Sequence, residues 1–340
     1  WFVRRALDRI RPDMIVLVEL ELWYQFVTIA VERGIPICIV NGRLSEKSTR
    51  RFSHIAPIVR RMFSALTWVG AQDAAYAERF IRMGVPRERV TITGSVKWDG
   101  AEVVDSLPGA DVLARALGLR TGDPAAPIWV CGSTGPGEEE VILQAFRTLR
   151  TQHPGLQLVL VPRKPERFDE VADLIRRAGF EPIRRSEHPD DGPPAPPGAA
   201  VALVDTMGEL RKVYTLADVV FVGRSLADMG GSDTMEVAGL GKPMFVGPHN
   251  ENFADIAERL LTAGAMRRME LDLRAPGVAA AVADTVAGML NDRSGAQAMG
   301  QAARRVVLAN RGATERTLAE LSRILAGSVG IPQESTASSH

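Results

Sequence analysis

Short apolar runs alternate with amphipathic segments along the chain. In the first third, the apolar runs predict buried strands at residues 14–18, 35–40, 66–70 and 90–93. Segments with helical spacing of apolar positions lie around them, at residues 2–11, 22–33, 45–62 and 73–83. Strands that alternate with helices in this way are typical of a parallel sheet covered by helices on both faces.

A second alternating series follows a stretch rich in Gly, Pro and Asp at residues 98–127. Its predicted strands are at residues 128–131, 156–161, 201–204, 218–222 and 243–246. Its predicted helices include residues 233–240, 254–263, 273–290 and 296–325. We therefore predict an α/β protein with domains at 1–104 and 127–310, a junction at 105–126, a C-terminal helix at 311–326 and a flexible tail at 327–340.

Composition narrows the class of protein. At 340 residues the chain favours two domains, and 46% apolar with 24% charged residues is ordinary for a globular protein. A net charge of zero gives no indication of nucleic-acid binding. Cys38 and Cys131 lie far apart in apolar runs, which favours buried thiols, and the histidines lack metal-ligand spacing. No apolar run approaches the length of a membrane span.

Polar side chains follow the predicted strands of the first domain at their carboxyl ends. They are Glu19, Glu21, Asn41, Arg43 and Lys97. Ligands of parallel α/β sheets bind at this edge. Two carboxylates with an Arg and a Lys suit acid–base chemistry or an anionic sugar, and the alternative is a set of solvated loop residues.

The glycine-rich stretch at residues 223–253 predicts a ligand loop between two strands. Gly230 and Gly231 allow the backbone to approach a ligand closely, and the helix predicted to begin at Asp233 would direct its N-terminus at an anion. Asp233 and Glu236 also form a capping-box pattern, which needs no ligand. The stretch is neither a dinucleotide fingerprint nor a Walker A loop.

Two further loops of the second domain carry candidate residues. Ser133 lies in a Gly-Ser-Thr-Gly-Pro-Gly loop before a helix whose first turn is acidic, at residues 138–140. Those carboxylates favour the positive end of the helix dipole and oppose a phosphate directly at that turn. Arg163 and Lys164 follow the next strand, where they either contact a phosphate or carboxylate or form a basic surface loop.

Seven sequence blocks, taken in order, resemble the 3-deoxy-D-manno-octulosonic acid (Kdo) transferases of lipopolysaccharide biosynthesis. The blocks are VELELW at 18–23, NGRLSEKS at 41–48, TGSVKWD at 93–99, GSTGPGEEE at 132–140, VPRKPERF at 161–168, DTMGEL at 205–210 and GPHNENFADIAERLLTAGA at 247–265. The resemblance implies a GT-B glycosyltransferase, with two Rossmann-like domains facing a cleft and the first domain incomplete at its N-terminus. Ser232 and Asp233 replace the His and Asn of the family pattern, and Tyr24 replaces a Pro.

The resemblance further implies an inverting transfer of Kdo from cytidine monophosphate (CMP)-Kdo to a hydroxyl of a lipid A precursor. CMP-Kdo is then the donor substrate, with no metal and no other cofactor. The implied partners are this donor, the lipid A precursor and, through peripheral contact, the inner membrane at its cytoplasmic face, with no nucleic acid.

The resemblance implies roles in donor binding. Glu236 would hold the ribose hydroxyls, and the backbone of Met207, Gly208 and Glu209 would bind the cytosine edge. Asn252 would support the donor loop.

The remaining implied roles concern the phosphate and the acceptor. Arg163, Ser133 and the amides of Gly230 and Gly231 would face the phosphate. The residues expected to face the acceptor or the Kdo carboxylate are Glu19, Glu21 and Lys97. The family's main catalytic base is expected in a Gly-Glu motif upstream of residue 1, so that this chain would bind donor better than it turns it over.

Two other functions stay open at this point. One is a different GT-B enzyme that uses another nucleotide sugar, including an epimerase, and nucleotide preference would distinguish it. The other is a non-catalytic protein that binds a sugar nucleotide.

Overall fold

The computed structural model describes residues 1–53, 55–196 and 200–329. Most of the predicted tail therefore lies outside the described residues, as does the end of a segment at 188–199 whose many Pro and Gly residues predict an exposed loop. The chain divides into two compact units, one of residues 1–100 with the C-terminal residues from Asn310, the other of residues 101–309. The predicted junction thus belongs to the second unit, and the C-terminal helix belongs to the first.

The first unit contains one parallel sheet of four strands in the order β1-β2-β3-β4. The strands are β1 (Ile15–Val18), β2 (Ile37–Gly42), β3 (Trp68–Ala71) and β4 (Val90–Ile92). The helices are α1 (Phe2–Ile10), α2 (Tyr24–Glu32), α3 (Glu46–Ser53), α4 (Ala56–Ser64), α5 (Ala74–Met83) and, at the end of the chain, α14 (Ala313–Val329). Residues 327–329, predicted to be flexible, continue α14.

Two predictions for the first unit are wrong in detail. The single helix predicted at 45–62 is two helices, because Pro57 lies in the first turn of α4 and cannot donate the hydrogen bond that would continue α3. β1 is only partly buried: Val16 and Val18 are 43% and 55% exposed. Both side chains lie on one face of a strand that pairs only with β2 among the described strands.

Asp73, Gly84 and Ser45 act as helix caps in the first unit. The Asp73 carboxylate accepts a hydrogen bond from the Tyr76 N–H at 2.8 Å, and Gly84 ends α5 with a φ of 116°. The Ser45 hydroxyl accepts from the Ser48 N–H at 3.1 Å. These bonds satisfy N–H groups that a helix terminus leaves without partners.

The second unit contains a parallel sheet in the order β11-β10-β9-β5-β6-β8-β7. The strands are β5 (Ile128–Thr134), β6 (Gln157–Pro162), β7 (Pro182–Arg184), β8 (Val201–Leu203), β9 (Val219–Val222), β10 (Met244–Val246) and β11 (Arg267–Arg268). The helices are α6 (Ala110–Ala116), α7 (Glu138–Gln152), α8 (Phe168–Arg177), α9 (Leu210–Leu216), α10 (Met235–Gly239), α11 (Ala254–Thr262), α12 (Val278–Asn291) and α13 (Arg293–Asn310). The pattern did not predict α8, β7 or β11, and the helix predicted at 296–325 is divided between α13 and α14.

The chain leaves β5 on one side towards β6 and reaches β9 on its other side. The order of strands therefore reverses between β5 and β9, and ligands of such sheets bind at the carboxyl ends beside this switch point. Both cysteines are buried as predicted, and burial raises the pKa of Cys38 to about 11. Among the described residues, no helix is long and apolar enough to cross a membrane.

Candidate functional site

The carboxyl ends of β5 and β9 meet at the switch point. The Gly223 N–H donates to the Gly132 carbonyl at 2.8 Å, which joins the two loops that the sequence singled out. A Cβ on Gly132 would lie 2.2 Å from the Tyr214 hydroxyl, and one on Gly223 would lie 2.7 Å from the Thr134 Cα. Gly132 thus needs to be glycine because Tyr214 of α9 packs against it, and Gly223 because the loop after β5 passes close to it.

The Glu138 carboxylate is fully buried and organises this junction. One oxygen accepts from the N–H groups of Ser225 and Leu226 at 2.9 and 2.8 Å. The other accepts from the N–H groups of Arg224 and Gly135 at 2.6 and 2.9 Å. Burial raises the pKa of Glu138, and the four backbone donors oppose that rise. Glu138 is therefore a structural anion rather than a surface charge at a helix end.

Glu139 is also fully buried, in a second polar network. It accepts from the Thr134 hydroxyl at 2.8 Å and from both arms of Arg167, at 2.7 and 3.0 Å. Arg167 also donates to Glu170. Burial alone would lower the pKa of Arg167, but its bonds to Glu139 and Glu170 raise it. Arg167 is therefore committed to fixing the β5–α7 loop.

The glycine loop takes the left-handed conformation that the sequence predicts, with φ of 76° at Gly230 and 78° at Gly231. The Gly231 N–H, however, donates to the Arg224 carbonyl at 2.9 Å. In the free protein this amide is therefore not available to a phosphate, because its hydrogen is already bonded within the loop. The Gly230 N–H has no acceptor among the described residues. Asn252 supports this loop: its N–H donates to the Gly230 carbonyl at 3.1 Å, and its side chain to the Met229 carbonyl at 3.2 Å.

The capping box predicted for Asp233 and Glu236 does not form. Helix α10 begins at Met235, after Thr234, and the Asp233 carboxylate accepts from the Met235 N–H at 2.8 Å. A short side chain can satisfy an amide two residues on, which delays the helix. The half-buried Glu236 carboxylate accepts no hydrogen bond from any described residue. Burial raises the pKa of Glu236, Asp233 raises it further, and Arg211 and Arg163 lower it.

Other polar groups around this loop also lack partners. The Ser232 and Thr234 hydroxyls and one terminal nitrogen of Arg211 are buried and make no hydrogen bond among the described residues. The other terminal nitrogen of Arg211 donates to Glu102 at 2.7 Å. Buried polar groups without partners cost free energy, so their concentration beside Glu236 favours a polar ligand. Sequence reasoning missed Arg211 because it follows the DTMGEL block on α9, outside any loop.

Ser133 occupies a strained position at the end of β5. It is 7% exposed and has a φ of 55°, which is uncommon for a residue other than glycine. The hydroxyl of Tyr214, buried beneath it, has a raised pKa because of burial and of nearby Glu236 and Cys131, while a hydrogen bond with Ser133 opposes that rise. Strain of this kind is concentrated at functional sites.

The DTMGEL turn presents its backbone to solvent. Met207 is 64% exposed, and Gly208 has a φ of 85° with no atom near the position of a Cβ. Arg185 holds the Glu209 carboxylate at 3.0–3.2 Å, and the Thr206 hydroxyl also donates to it. The Glu209 side chain therefore fixes the turn and leaves the backbone free for recognition.

Arg163 lies at the end of β6, where its N–H donates to the Thr134 carbonyl at 3.0 Å. Its side chain is exposed and lines a cavity beside the β5–α7 loop. The positive charge of Arg163 lowers the pKa of Glu236. Thr134 and Met229, which adjoin Ser133 and Gly230 in the chain, line the same cavity, so the structure brings the loops of Ser133, Arg163 and Gly230 together.

The candidate residues of the first unit lie at the carboxyl edge of its sheet, as predicted. Glu19 follows β1 with a φ of 59°, and the side chains of Glu19, Glu21 and Lys97 are all exposed. Buried Asn41 lies near the end of β2, and its side-chain oxygen accepts from the Val96 N–H at 3.2 Å, which positions the turn that carries Lys97. Arg43, by contrast, donates to the Tyr76 hydroxyl at 3.3 Å.

Comparisons of sequence agree on one family. Residues 1–100 match the family model described as 3-deoxy-D-manno-octulosonic-acid transferase (kdotransferase). The chain is 35% identical over 320 residues to the 3-deoxy-D-manno-octulosonic acid transferase of Haemophilus influenzae, covering 93% of this chain and 70% of that protein. The protein of the same name from Bordetella pertussis is 35% identical over 318 residues, with the same coverage.

Comparisons of structure agree on the fold. The C-terminal CMP-Kdo binding domain of WaaA from Acinetobacter baumannii matches 58% of this chain and 95% of its own length, with a TM-score of 0.51 and 29% identity. The UDP-GlcNAc 2-epimerase from Neisseria meningitidis, solved with UDP-GlcNAc, matches 94% of this chain and 79% of its own, with a TM-score of 0.57. At 13% identity this second likeness shows the fold alone. The predicted α/β fold with two Rossmann-like domains of the GT-B class is confirmed.

Proposed function

Because the chain belongs to the 3-deoxy-D-manno-octulosonic acid transferase family of glycosyltransferases, we propose that it binds CMP-Kdo at the switch point of its second unit for transfer of Kdo to a lipid A precursor. One observation carries the choice of site. The Glu236 carboxylate accepts no hydrogen bond and lies beside buried hydroxyls of Ser232 and Thr234 that have no partner among the described residues. The likeness to a solved CMP-Kdo binding domain supports the choice of nucleotide.

The proposed donor contacts follow from the groups that the protein leaves without partners. The Glu236 carboxylate accepts hydrogen bonds from the ribose hydroxyls. The backbone of Met207, Gly208 and Glu209 pairs with the cytosine edge, since this turn is exposed and fixed from behind.

The remaining hydrogen-bond donors of the site bind the phosphate. Arg163, the Ser133 hydroxyl and the Gly230 amide bind it, and Asn252 keeps the glycine loop in place. Groups already in position stabilise the negative charge that develops on the leaving phosphate.

The transfer itself makes one bond and breaks one. The acceptor oxygen attacks the anomeric carbon of Kdo, and the bond from that carbon to the CMP phosphate oxygen breaks, with inversion and without a metal. The acceptor hydroxyl loses its proton to a base. Glu19, Glu21 and Lys97 are the proposed acceptor-side residues, because they are exposed at the carboxyl edge of the first sheet.

The proposed place of reaction is the cytoplasmic face of the inner membrane, where the protein makes peripheral contact.

Thermal denaturation with added nucleotides tests the donor proposal. A ligand that binds only the folded state stabilises it by about 2.7 kcal/mol at a hundredfold excess over its dissociation constant. We expect CMP and CMP-Kdo to raise the melting temperature, and UDP and NAD at equal concentration to leave it unchanged. Equal shifts with UDP and CMP would contradict the cytidine assignment, and a shift with UDP alone would favour the epimerase-like alternative.

A transfer assay tests the acceptor proposal. Glu19→Gln and Glu21→Gln are compared with the wild type for Kdo transfer and for CMP binding. Loss of a general base costs about 10²–10⁴-fold in rate. A loss of that size in one variant, with CMP affinity unchanged, would identify the base. Equal rates in both variants and the wild type would place the base on another residue.

A further inference from the structure

A cavity of about 680 Å³ lies beside the β5–α7 loop and is rich in cationic side chains. Gly135 and Pro136 form one wall, and Arg163, Lys164 and Arg224 line the rest of it with their neighbours. Lys164 pairs with Glu166 at 3.5 Å. Neither Arg163 nor Arg224 has a carboxylate within ion-pair distance among the described residues, so neither guanidinium group in the cavity is held in an ion pair.

The backbone does not explain an arginine at position 224. Its φ is 59°, in the left-handed region that glycine occupies at no steric cost. For other residues this conformation brings the Cβ too close to the following carbonyl oxygen and is unfavourable. The Glu138 carboxylate holds the strained N–H at 2.6 Å, so the surrounding structure maintains the conformation. In the part of the chain that the structure describes, the Arg224 side chain makes one hydrogen bond, a long one of 3.4 Å to the Met229 carbonyl.

The β5–α7 loop, at Gly135, fixes the path of the Arg224 side chain. A Cβ on Gly135 would lie 3.3 Å from the Arg224 Cγ and 2.8 Å from the Met229 Sδ. The stem of Arg224 therefore passes closely over Gly135 before its guanidinium reaches the cavity. Arg163 lines this cavity, as do Thr134 and Met229, which adjoin Ser133 and Gly230 in the chain, so the cavity borders the residues proposed to bind the phosphate.

The chemistry of the transferred sugar supplies an anion for this cavity. An octulosonic acid carries a carboxylate in addition to the phosphate that links it to the nucleotide. A guanidinium group presents a rigid fork of N–H donors that matches a carboxylate in two parallel hydrogen bonds. We propose that Arg224 binds the carboxylate of the sugar acid in this cavity and so selects an acidic sugar, an inference that rests on the proposed function.

The test compares two ligands on variants of the full chain. Calorimetry measures the affinities of the wild type, Arg224→Gly and Arg224→Lys for CMP and for CMP-Kdo. Arg305→Gln is the matched control, because Arg305 is an exposed arginine of the same unit, on α13, outside the cavity. We expect Arg224→Gly to weaken CMP-Kdo binding about tenfold to hundredfold while CMP binding stays within about twofold. Arg224→Lys keeps the charge but loses the fork, and it should fall between the glycine variant and the wild type.

Stability and the two affinities together separate the outcomes. Glycine relieves the strain at this position, so the melting temperature of Arg224→Gly should equal or exceed that of the wild type. Equal losses for CMP and CMP-Kdo would assign Arg224 to the phosphate and overturn the inference, as would no loss for either. A wild type that binds neither ligand would instead overturn the proposed function itself.

Discussion

The Glu138 carboxylate accepts a hydrogen bond from the backbone N–H of Arg224 at 2.6 Å, although 86 positions separate the two residues. This bond ties the first turn of α7 to the loop after β9. The same carboxylate holds Ser225 and Leu226, and the Ser225 hydroxyl accepts from the Gly247 N–H at 2.8 Å. One buried anion therefore fixes the loops after β5 and β9 and, through Ser225, the loop after β10.

We expect Glu138→Gln to destabilise the protein by about 2–3 kcal/mol, because an amide nitrogen would face buried N–H donors that now bond to a charged oxygen. CMP binding should weaken as well, since the glycine loop loses its anchor. Glu140→Gln is the control: Glu140 lies in the same helical turn but is exposed. Urea denaturation and CMP titration measure both effects. Equal stability of the two variants would show that Glu138 does not organise the loops.

The location of the site could be predicted from sequence, because it depends on where apolar runs end. The turns after β5 and β9 are visible as glycine-rich segments, and adjacent parallel strands bring such turns together. This reasoning makes Gly230 and Glu236 candidate site residues, and their contacts with a ligand stay predictions. The family resemblance added the nucleoside contacts, which no spacing of residues indicates.

The hydrogen-bond partners at the site could not be predicted, because they depend on packing between distant segments. Three adjacent glutamates at 138–140 indicate a solvated helix end, yet two of them are buried under other loops. The Gly231 amide looks available in sequence, but a carbonyl seven positions earlier accepts its hydrogen. Asp233 and Glu236 match a capping box, but Asp233 instead satisfies the Met235 amide and so delays the helix.

The unpartnered Thr234 hydroxyl gives a second prediction. Thr234→Val removes a buried hydroxyl without a partner at nearly constant shape, so the stability of the free protein should stay equal or rise. CMP affinity should fall by about 0.5–1.5 kcal/mol if the ligand uses this hydroxyl.

Thr317→Val is the matched control for this change. The Thr317 hydroxyl is also buried without a partner, but it lies on α14 in the first unit. Denaturation and CMP titration of both variants should give the same trend in stability and a loss of affinity in Thr234→Val alone. Unchanged affinity in Thr234→Val would show that the donor does not reach this part of the loop.

The Arg185–Glu209 ion pair gives a third prediction, for the cytosine-binding turn. Glu209→Gln weakens the bonds that fix the turn, so CMP should bind less tightly. The affinity for the ribose and phosphate parts of the nucleotide, which do not contact this turn in the proposed site, should stay unchanged. The pair is largely buried, at 9% and 13% side-chain exposure, so a loss of about 1.5–3 kcal/mol in stability is also expected.

A surface ion pair on α8 provides the comparison. Asp173→Asn breaks a pair with Arg176 in which both side chains are about half exposed, and such pairs contribute about 0–1 kcal/mol. Titration with CMP and with ribose 5-phosphate separates the base from the rest of the nucleotide. We expect Glu209→Gln to lose affinity for CMP only. Equal losses for both ligands would mean that the turn acts on the site as a whole and does not read the base.

The last prediction concerns the Glu236 charge and its dependence on pH. Burial and Asp233 raise the pKa of Glu236 above its ordinary value of 4.5, so the folded state favours the protonated form. The stability that this preference contributes is complete below the ordinary pKa and is lost as pH rises through the raised value. At neutral pH the carboxylate therefore destabilises the free protein, and Glu236→Gln should melt at an equal or higher temperature there. The difference between variant and wild type should grow as pH rises from 4.5 towards neutrality.

CMP affinity should move the other way: loss of a charged acceptor at the ribose diol should cost about 1.5–3 kcal/mol. Glu258→Gln, at an exposed position on α11, should change neither quantity. A capping role for Glu236 predicts the reverse pattern, with a loss of about 1 kcal/mol in stability and intact affinity. Melting curves at several pH values and a CMP titration on the same variant therefore decide between a ligand contact and a helix cap.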